Sequence, residues 1–102
     1  MDILNEIKIK VLDIEPDAEV FLFGSRARGD SHSDSDWDIL ILLPDFSNFK
    51  IKSIISEKLY DVEIKYSVLL NLIYRKKNTW FNDKVFKETP FYQNVVKEYK
   101  RL

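Results

Sequence analysis

The 102-residue chain contains no cysteine and only two glycines, three prolines and one histidine. Without cysteine it can form neither a disulfide framework nor a Cys-based zinc site. Its formal net charge is −1, so no overall positive charge argues for nucleic-acid binding. The start of the sequence lacks the basic residues and long apolar core of a signal peptide, so none is expected. No apolar run approaches the length of a membrane span. We therefore expect one small domain over residues 1–102, located in the cytoplasm.

Both glycines lie in one short segment, where Gly24 and Gly29 flank the arginines Arg26 and Arg28. Glycine is the residue that tolerates a left-handed backbone and the close approach of a ligand. The Gly24-Ser25 turn can offer backbone N–H groups and a hydroxyl to phosphate. A tight strand-to-helix turn with Ser25 as its N-cap explains the same residues, and the two interpretations are compatible.

Two aspartates, Asp36 and Asp38, flank Trp37 at the start of an apolar run that ends at Leu43. Because side chains alternate along a strand, both carboxylates are expected to point to the same side. Two carboxylates aimed at one spot repel each other unless a cation lies between them, and magnesium prefers carboxylate and phosphate oxygens. The alternative is that both are exposed strand or turn residues. A divalent metal beside a phosphate-binding turn is the combination that nucleotidyl transfer requires.

The segments Gly24–Asp30 and Ser35–Ile39 together resemble the signature of the minimal nucleotidyltransferase (MNT) family of the DNA polymerase beta superfamily, in which GS is followed, after a gap, by DxD. The resemblance is dense over residues 20–43 and continues loosely to the C-terminus. It implies one nucleotidyltransferase domain that uses Mg²⁺, in a site able to hold two metal ions, to transfer a nucleoside monophosphate to an acceptor. ATP is the default substrate of the family. A HEPN-type helical protein is the implied partner, with this chain as its antitoxin.

The resemblance also assigns roles to individual residues. Asp36 and Asp38 are the implied catalytic carboxylates and metal ligands, and Gly24 and Ser25 are implied to hold the triphosphate. We expect Arg26 to be a further phosphate neighbour.

The two arginines do not share one direction on a helix or a turn. We therefore expect Arg28 to support the site by pairing with Asp30 or Asp38, while Arg26 faces the phosphates.

Active members of the superfamily present a third Asp or Glu from a later strand, which ligates the second metal and acts as the base. In the predicted strand over residues 69–73 the polar residue is Asn71. An amide ligates a metal weakly and cannot accept the proton. If residues 60–68 form the strand instead, Asp61 or Glu63 takes this position. The alternative function is therefore a weakened or inactive nucleotidyltransferase-fold module that acts by binding a partner.

Apolar spacing predicts the order of the elements. Helices are expected over residues 2–14, 25–30, 48–67, 79–86 and 90–100, and strands over residues 18–23, 36–43 and 68–74. Residues 75–78 are expected to form a solvated turn. This order predicts an α/β (α+β) fold with a small mixed sheet of three or four strands and helices packed mainly on one face, as in polymerase-beta-like nucleotidyltransferases. Any exposed part of the aromatic C-terminal third would form an interaction patch for a second copy or a partner chain.

Overall fold

The computed structural model describes residues 2–102, and these contain four strands: β1 (Glu19–Phe23), β2 (Trp37–Leu43), β3 (Leu70–Lys76) and β4 (Lys100–Arg101). The strands form one mixed sheet in the order β3-β2-β1-β4. Strand β1 pairs antiparallel with both β2 and β4, whereas β2 and β3 are parallel. The predicted mixed sheet of a small α/β protein is confirmed.

Within residues 2–102 there are six helices: α1 (Ile3–Ile14), α2 (Ser25–Arg28), α3 (Phe49–Tyr66), α4 (Lys77–Asn82), α5 (Lys84–Lys87) and α6 (Pro90–Val96). Side chains of Asp2, Asn48 and Thr89 accept hydrogen bonds from backbone N–H groups in the first turns of α1, α3 and α6. Such N-caps satisfy donors that have no partner inside a helix. In this part of the chain, every helix is too short or too polar to cross a membrane.

Alternate strand residues point to opposite sides of the sheet, and apolar side chains lie on both sides. Helices therefore cover both faces. On one face, α1 and α3 bury Val20, Leu22, Ile39 and Ile41. On the other face, Trp80 of α4 and Val95 of α6 pack on Phe21, Phe23, Leu40 and Leu42. The two long helices therefore share one face, and the three short C-terminal helices close the opposite one.

The helix predicted over residues 48–67 is confirmed, so the alternative strand over residues 60–68 is wrong. Helix α3 ends at Tyr66, and Ser67 follows with a left-handed φ of 54°. Strand β3 consequently starts at Leu70, two residues later than predicted. It also extends through Arg75 and Lys76, so the predicted turn over residues 75–78 is wrong.

The C-terminal segment differs from the prediction in two further places. The helix expected over residues 79–86 is divided at Asp83, whose side chain caps α5 by accepting from Val85 N and Phe86 N. The final helix begins at Pro90 as predicted, but it ends at Val96. The chain then forms β4, which pairs with β1.

Candidate functional site

Gly24 joins β1 to α2 and lies directly against Asp38 of β2. Its backbone has φ 77° and ψ −160°, a region that is essentially restricted to glycine. A Cβ atom on Gly24 would lie 2.0 Å from Asp38 Oδ2. Since Phe23 is paired with Asp38 in the antiparallel register, the end of β1 delivers this turn to the start of β2. Glycine is therefore needed here both for the backbone conformation and for the contact with the carboxylate.

Asp38 and Asn71 are neighbours in the parallel strands β2 and β3. Asn71 Nδ2 donates a hydrogen bond to Asp38 Oδ1 over 2.9 Å. Asp38 is half-buried and Asn71 is exposed, so a ligand can reach both side chains. The strand position beside Asp38 thus holds an amide that pairs with the carboxylate instead of repelling it.

Asp36 lies one residue before β2 and is exposed. Its carboxylate makes no hydrogen bond or ion pair with any residue from 2 to 102. Trp37 N donates to Leu69 O over 2.9 Å, which ties the chain between the two aspartates to the start of β3. The backbone at Asp36 is therefore held in place while its side chain remains available to a ligand.

The donor set at this end of the sheet fits a magnesium ion that is shared with a triphosphate. Mg²⁺ is usually held by one or two carboxylates together with phosphate oxygens and water, and Asp36 and Asp38 are the carboxylates that would hold it here. Among residues 2–102, no three or more His, Cys, Asp or Glu side chains gather into a group that could hold a metal ion. Phosphate oxygens would therefore have to complete the coordination, with the Asn71 amide as a weak additional ligand.

The other two carboxylates considered for the third position lie elsewhere. Asp61 and Glu63 are on α3, not on the strand beside β2. Glu63 Oε2 accepts a hydrogen bond from Leu70 N over 2.8 Å and so fixes the start of β3. Asp61 and Glu63 were alternatives for the third carboxylate only if residues 60–68 formed a strand. Residues 60–66 are helical, so this alternative is wrong.

Ser25 was predicted to be the N-cap of α2, but the N-cap is Gly24, and Ser25 is the first residue of the helix. Gly24 O accepts from Ala27 N over 3.0 Å and from Arg28 N over 3.1 Å, which closes the turn. The Ser25 hydroxyl makes no hydrogen bond in the described part of the chain. The backbone N–H groups of Ser25 and Arg26 make no hydrogen bond in the described part of the chain, so this turn can present these two donors to an anion.

Arg26 is turned toward the loop that precedes Asp36. Its Nε and Nη2 donate to Ser35 O over 3.2 and 2.9 Å, and Nη2 also lies 3.3 Å from His32 O and Ser33 O. The guanidinium carbon is 4.0 Å from the ring centroid of Trp37. Sequence reasoning missed this anchoring role, although an indole close to an arginine turn is a signal for such stacking.

Arg28 pairs with Asp30 over 3.2 Å, which is one of the two partners expected for it. It also pairs with Glu98 over 3.0 Å. The hydrogen bond with Asp30 raises the pKa of Arg28 above its usual value. No local sequence pattern could have predicted the ion pair with Glu98, because the two residues are far apart in the sequence and become neighbours only in the folded chain.

Comparison with known proteins identifies the family. Residues 4–101 match the family model of a nucleotidyltransferase domain. A Methanocaldococcus jannaschii protein, provisionally named a protein adenylyltransferase, is 37% identical over 89 residues, which cover 83% of this chain and 90% of that protein.

A chain in a crystal structure of a toxin–antitoxin with AMP-PNP has a similar fold. Its TM-score is 0.56 at 25% sequence identity, and the match covers 93% of this chain and 68% of that chain. Together with the family match, these similarities establish that the chain belongs to the nucleotidyltransferase domain family.

Proposed function

We propose that the chain binds ATP with Mg²⁺ and transfers AMP to an acceptor on a partner protein, with release of pyrophosphate. The observation that carries this proposal is the contact between the Gly24 turn and Asp38, where a Cβ atom would lie 2.0 Å from the carboxylate. It puts a turn suited to phosphate directly beside a carboxylate suited to metal. Membership of the nucleotidyltransferase family supports the reaction class.

In this proposal Gly24 and Ser25 hold the β- and γ-phosphates through the Ser25 hydroxyl and backbone N–H groups. Asp36 and Asp38 would hold the metal ion. Bound Mg²⁺ supplies neutralisation of phosphate charge and orientation of the reacting groups. A bond forms between the acceptor oxygen and the α-phosphorus while the bond from that phosphorus to the bridging oxygen breaks. Pyrophosphate leaves with the bonding electrons.

Asn71 makes this reaction slow. An amide cannot accept the proton of the acceptor hydroxyl. Its hydrogen bond to Asp38 Oδ1 also engages one oxygen of a carboxylate that would hold the metal ion. The proton therefore passes to solvent or to a base that the partner supplies.

The proposed partner is a HEPN-type helical protein in the same cytoplasm, toward which this chain acts as the antitoxin. The name of the 37% identical relative supports a protein acceptor. The similar solved structure is a toxin–antitoxin with AMP-PNP, which supports both a nucleotide ligand and a partner protein.

A second candidate function is a module that binds nucleotide and partner without transfer, which the Asn71–Asp38 hydrogen bond favours. The two are separated by incubating the chain, Mg²⁺ and a HEPN-type partner with ATP radiolabelled at the α-phosphate. Label on the partner together with free pyrophosphate, both lost in Asp38→Asn, supports the transferase. Bound nucleotide with neither product supports the binding module.

A further inference from the structure

A groove lies beside the candidate site, between the loop before β2, the last turns of α3 and the residues that lead into β3. It has a volume of about 470 Å³, and its lining includes Asp34, Asp36, Tyr60, Glu63, Ile64 and Leu69. Asp36 is thus both a proposed metal ligand and part of the groove wall. Any chain seated in the groove passes next to the proposed reaction centre.

The groove exposes three large apolar side chains. Tyr60, Ile64 and Leu69 are 59%, 64% and 66% exposed, respectively. Tyr60 and Ile64 lie on α3 but outside its core stripe, in which Ile55 and Leu59 are buried against the sheet, and Leu69 follows the helix. Burial of the core does not require exposed apolar residues here, and a cluster of them marks an interaction site.

The charge of the groove is of one sign. Of the described residues that line it, Asp34, Asp36 and Glu63 carry carboxylates, and none carries a positive charge. A segment that fills it should therefore combine apolar side chains with lysine or arginine.

Backbone hydrogen bonds fix the shape of the groove. Ser67 N and Val68 N both donate to Glu63 O, which ends α3 and turns the chain toward β3. Leu69 O accepts from Trp37 N over 2.9 Å, which joins the two walls. A groove that is already formed binds a segment at a smaller entropic cost than one that must be ordered on binding.

We propose that this groove docks the acceptor segment of the partner protein. The segment places an apolar side chain against Ile64 and Leu69 and a basic side chain near Asp34 and Glu63. Its acceptor hydroxyl points toward Asp36. The proposal rests on the proposed transfer of AMP and adds where the acceptor binds and which sequence it carries.

The test uses an immobilised library of peptides that carry tyrosine, serine or threonine at the centre and varied residues around it, probed with the whole chain. We expect enrichment of lysine or arginine together with leucine, isoleucine or phenylalanine, and depletion of aspartate and glutamate. Ile64→Lys and Leu69→Lys should each weaken binding of the best peptide about tenfold or more, because they remove apolar contact and add repulsion.

Val85→Lys is the matched control, because Val85 is 77% exposed on α5 and lies outside the groove. It should bind the same peptide as well as the wild type does. Enrichment of acidic flanks, no enrichment, or unchanged binding by both groove variants would each overturn the proposal. So would a dimer that Ile64→Lys abolishes, because a second copy would then occupy the groove.

Mg²⁺-dependent ATP binding is measured by calorimetry in the same samples. It should be equal in the wild type, Ile64→Lys and Leu69→Lys, because neither residue is assigned to the nucleotide. If the wild type binds no ATP, the proposed transfer fails, and with it the acceptor role of the groove. If ATP binds but the peptide preference is absent, only the groove proposal fails.

Discussion

Asn71 and Asp38 lie side by side in parallel strands, and the Asn71 amide donates to Asp38 Oδ1 over 2.9 Å. A carboxylate at position 71 would instead face another carboxylate and require a cation or a proton between them. The amide thus provides Asp38 with a hydrogen-bond partner in the absence of metal.

Asn71→Asp should lower the free energy of unfolding without metal by about 1 kcal/mol, because like charges face each other across the two strands. The repulsion exists only while both carboxyls are ionised. The loss of stability should therefore be present at neutral pH and absent at acid pH, where they are protonated. Urea unfolding at several pH values, with and without Mg²⁺, measures the effect.

The same variant should gain stability from Mg²⁺ more than the wild type does, and it should release pyrophosphate from ATP faster. The isosteric Asn71→Leu is the control, because it removes the hydrogen bond without adding a charge. If Mg²⁺ stabilises Asn71→Asp no more than it stabilises the wild type, position 71 is not beside a metal.

Gly24→Ala should cost at least about 2 kcal/mol of unfolding free energy, because the backbone is strained for alanine and the new methyl meets Asp38. It should also abolish ATP binding. Gly29→Ala is the matched control. Gly29 has φ 86°, but apart from its chain neighbours no atom of residues 2–102 lies within 4 Å of its added Cβ, so the cost should be about 1 kcal/mol and ATP binding should persist. Equal effects of the two substitutions would contradict the role of Gly24.

Most of the fold could be predicted from the sequence, because hydrophobic periodicity specifies α1, α3 and the strands β1 and β2. The two-residue strand β4 could not, since Lys100 and Arg101 carry no strand pattern and pair only because β1 has a free edge. The start of β3 was misplaced because Val68 and Leu69 are good strand formers. The left-handed Ser67 and the hydrogen bond that Leu70 N donates to Glu63 Oε2 decide it instead.

The candidate site was predictable in its residues but not in all of its contacts. The Gly24-Ser25 turn and the two aspartates follow from local motifs. The contacts of Arg26 with the loop could not be predicted, because they depend on how residues 31–36 fold back, which composition does not specify; its expected place beside the phosphates stays a prediction. The groove beside Asp36 depends on three separate segments, so no local pattern could reveal it.

Ser25→Ala should weaken ATP binding about tenfold, which corresponds to the loss of one hydrogen bond to a charged group. Stability should stay at the wild-type value, because the Ser25 hydroxyl makes no hydrogen bond in the described part of the chain. Ser31→Ala, in the neighbouring loop, serves as the control. Calorimetry that finds the same ATP affinity in Ser25→Ala and the wild type would remove Ser25 from the site.

Arg26→Lys should lower the free energy of unfolding by about 1–2 kcal/mol, because lysine cannot hold several loop carbonyls and stack on Trp37 together. The loop before Asp36 should loosen, and ATP binding should weaken with it. Arg28→Lys, which changes only exposed ion pairs, should remain close to the wild type. Faster amide hydrogen exchange over residues 32–36 in Arg26→Lys alone would confirm the anchoring role, and unchanged exchange there would contradict it.

The most direct test of the account is calorimetry of ATP binding, with and without Mg²⁺, in the wild type and in the double variant Asp36→Asn/Asp38→Asn. We predict that the wild type binds ATP only with Mg²⁺. The double variant should stay folded, because an amide at position 38 can still pair with Asn71, but it should show no Mg²⁺-dependent binding. Asp34→Asn, the same change in the same loop, should bind as the wild type does. Unchanged ATP affinity in the double variant, or no binding by the wild type, would contradict the account.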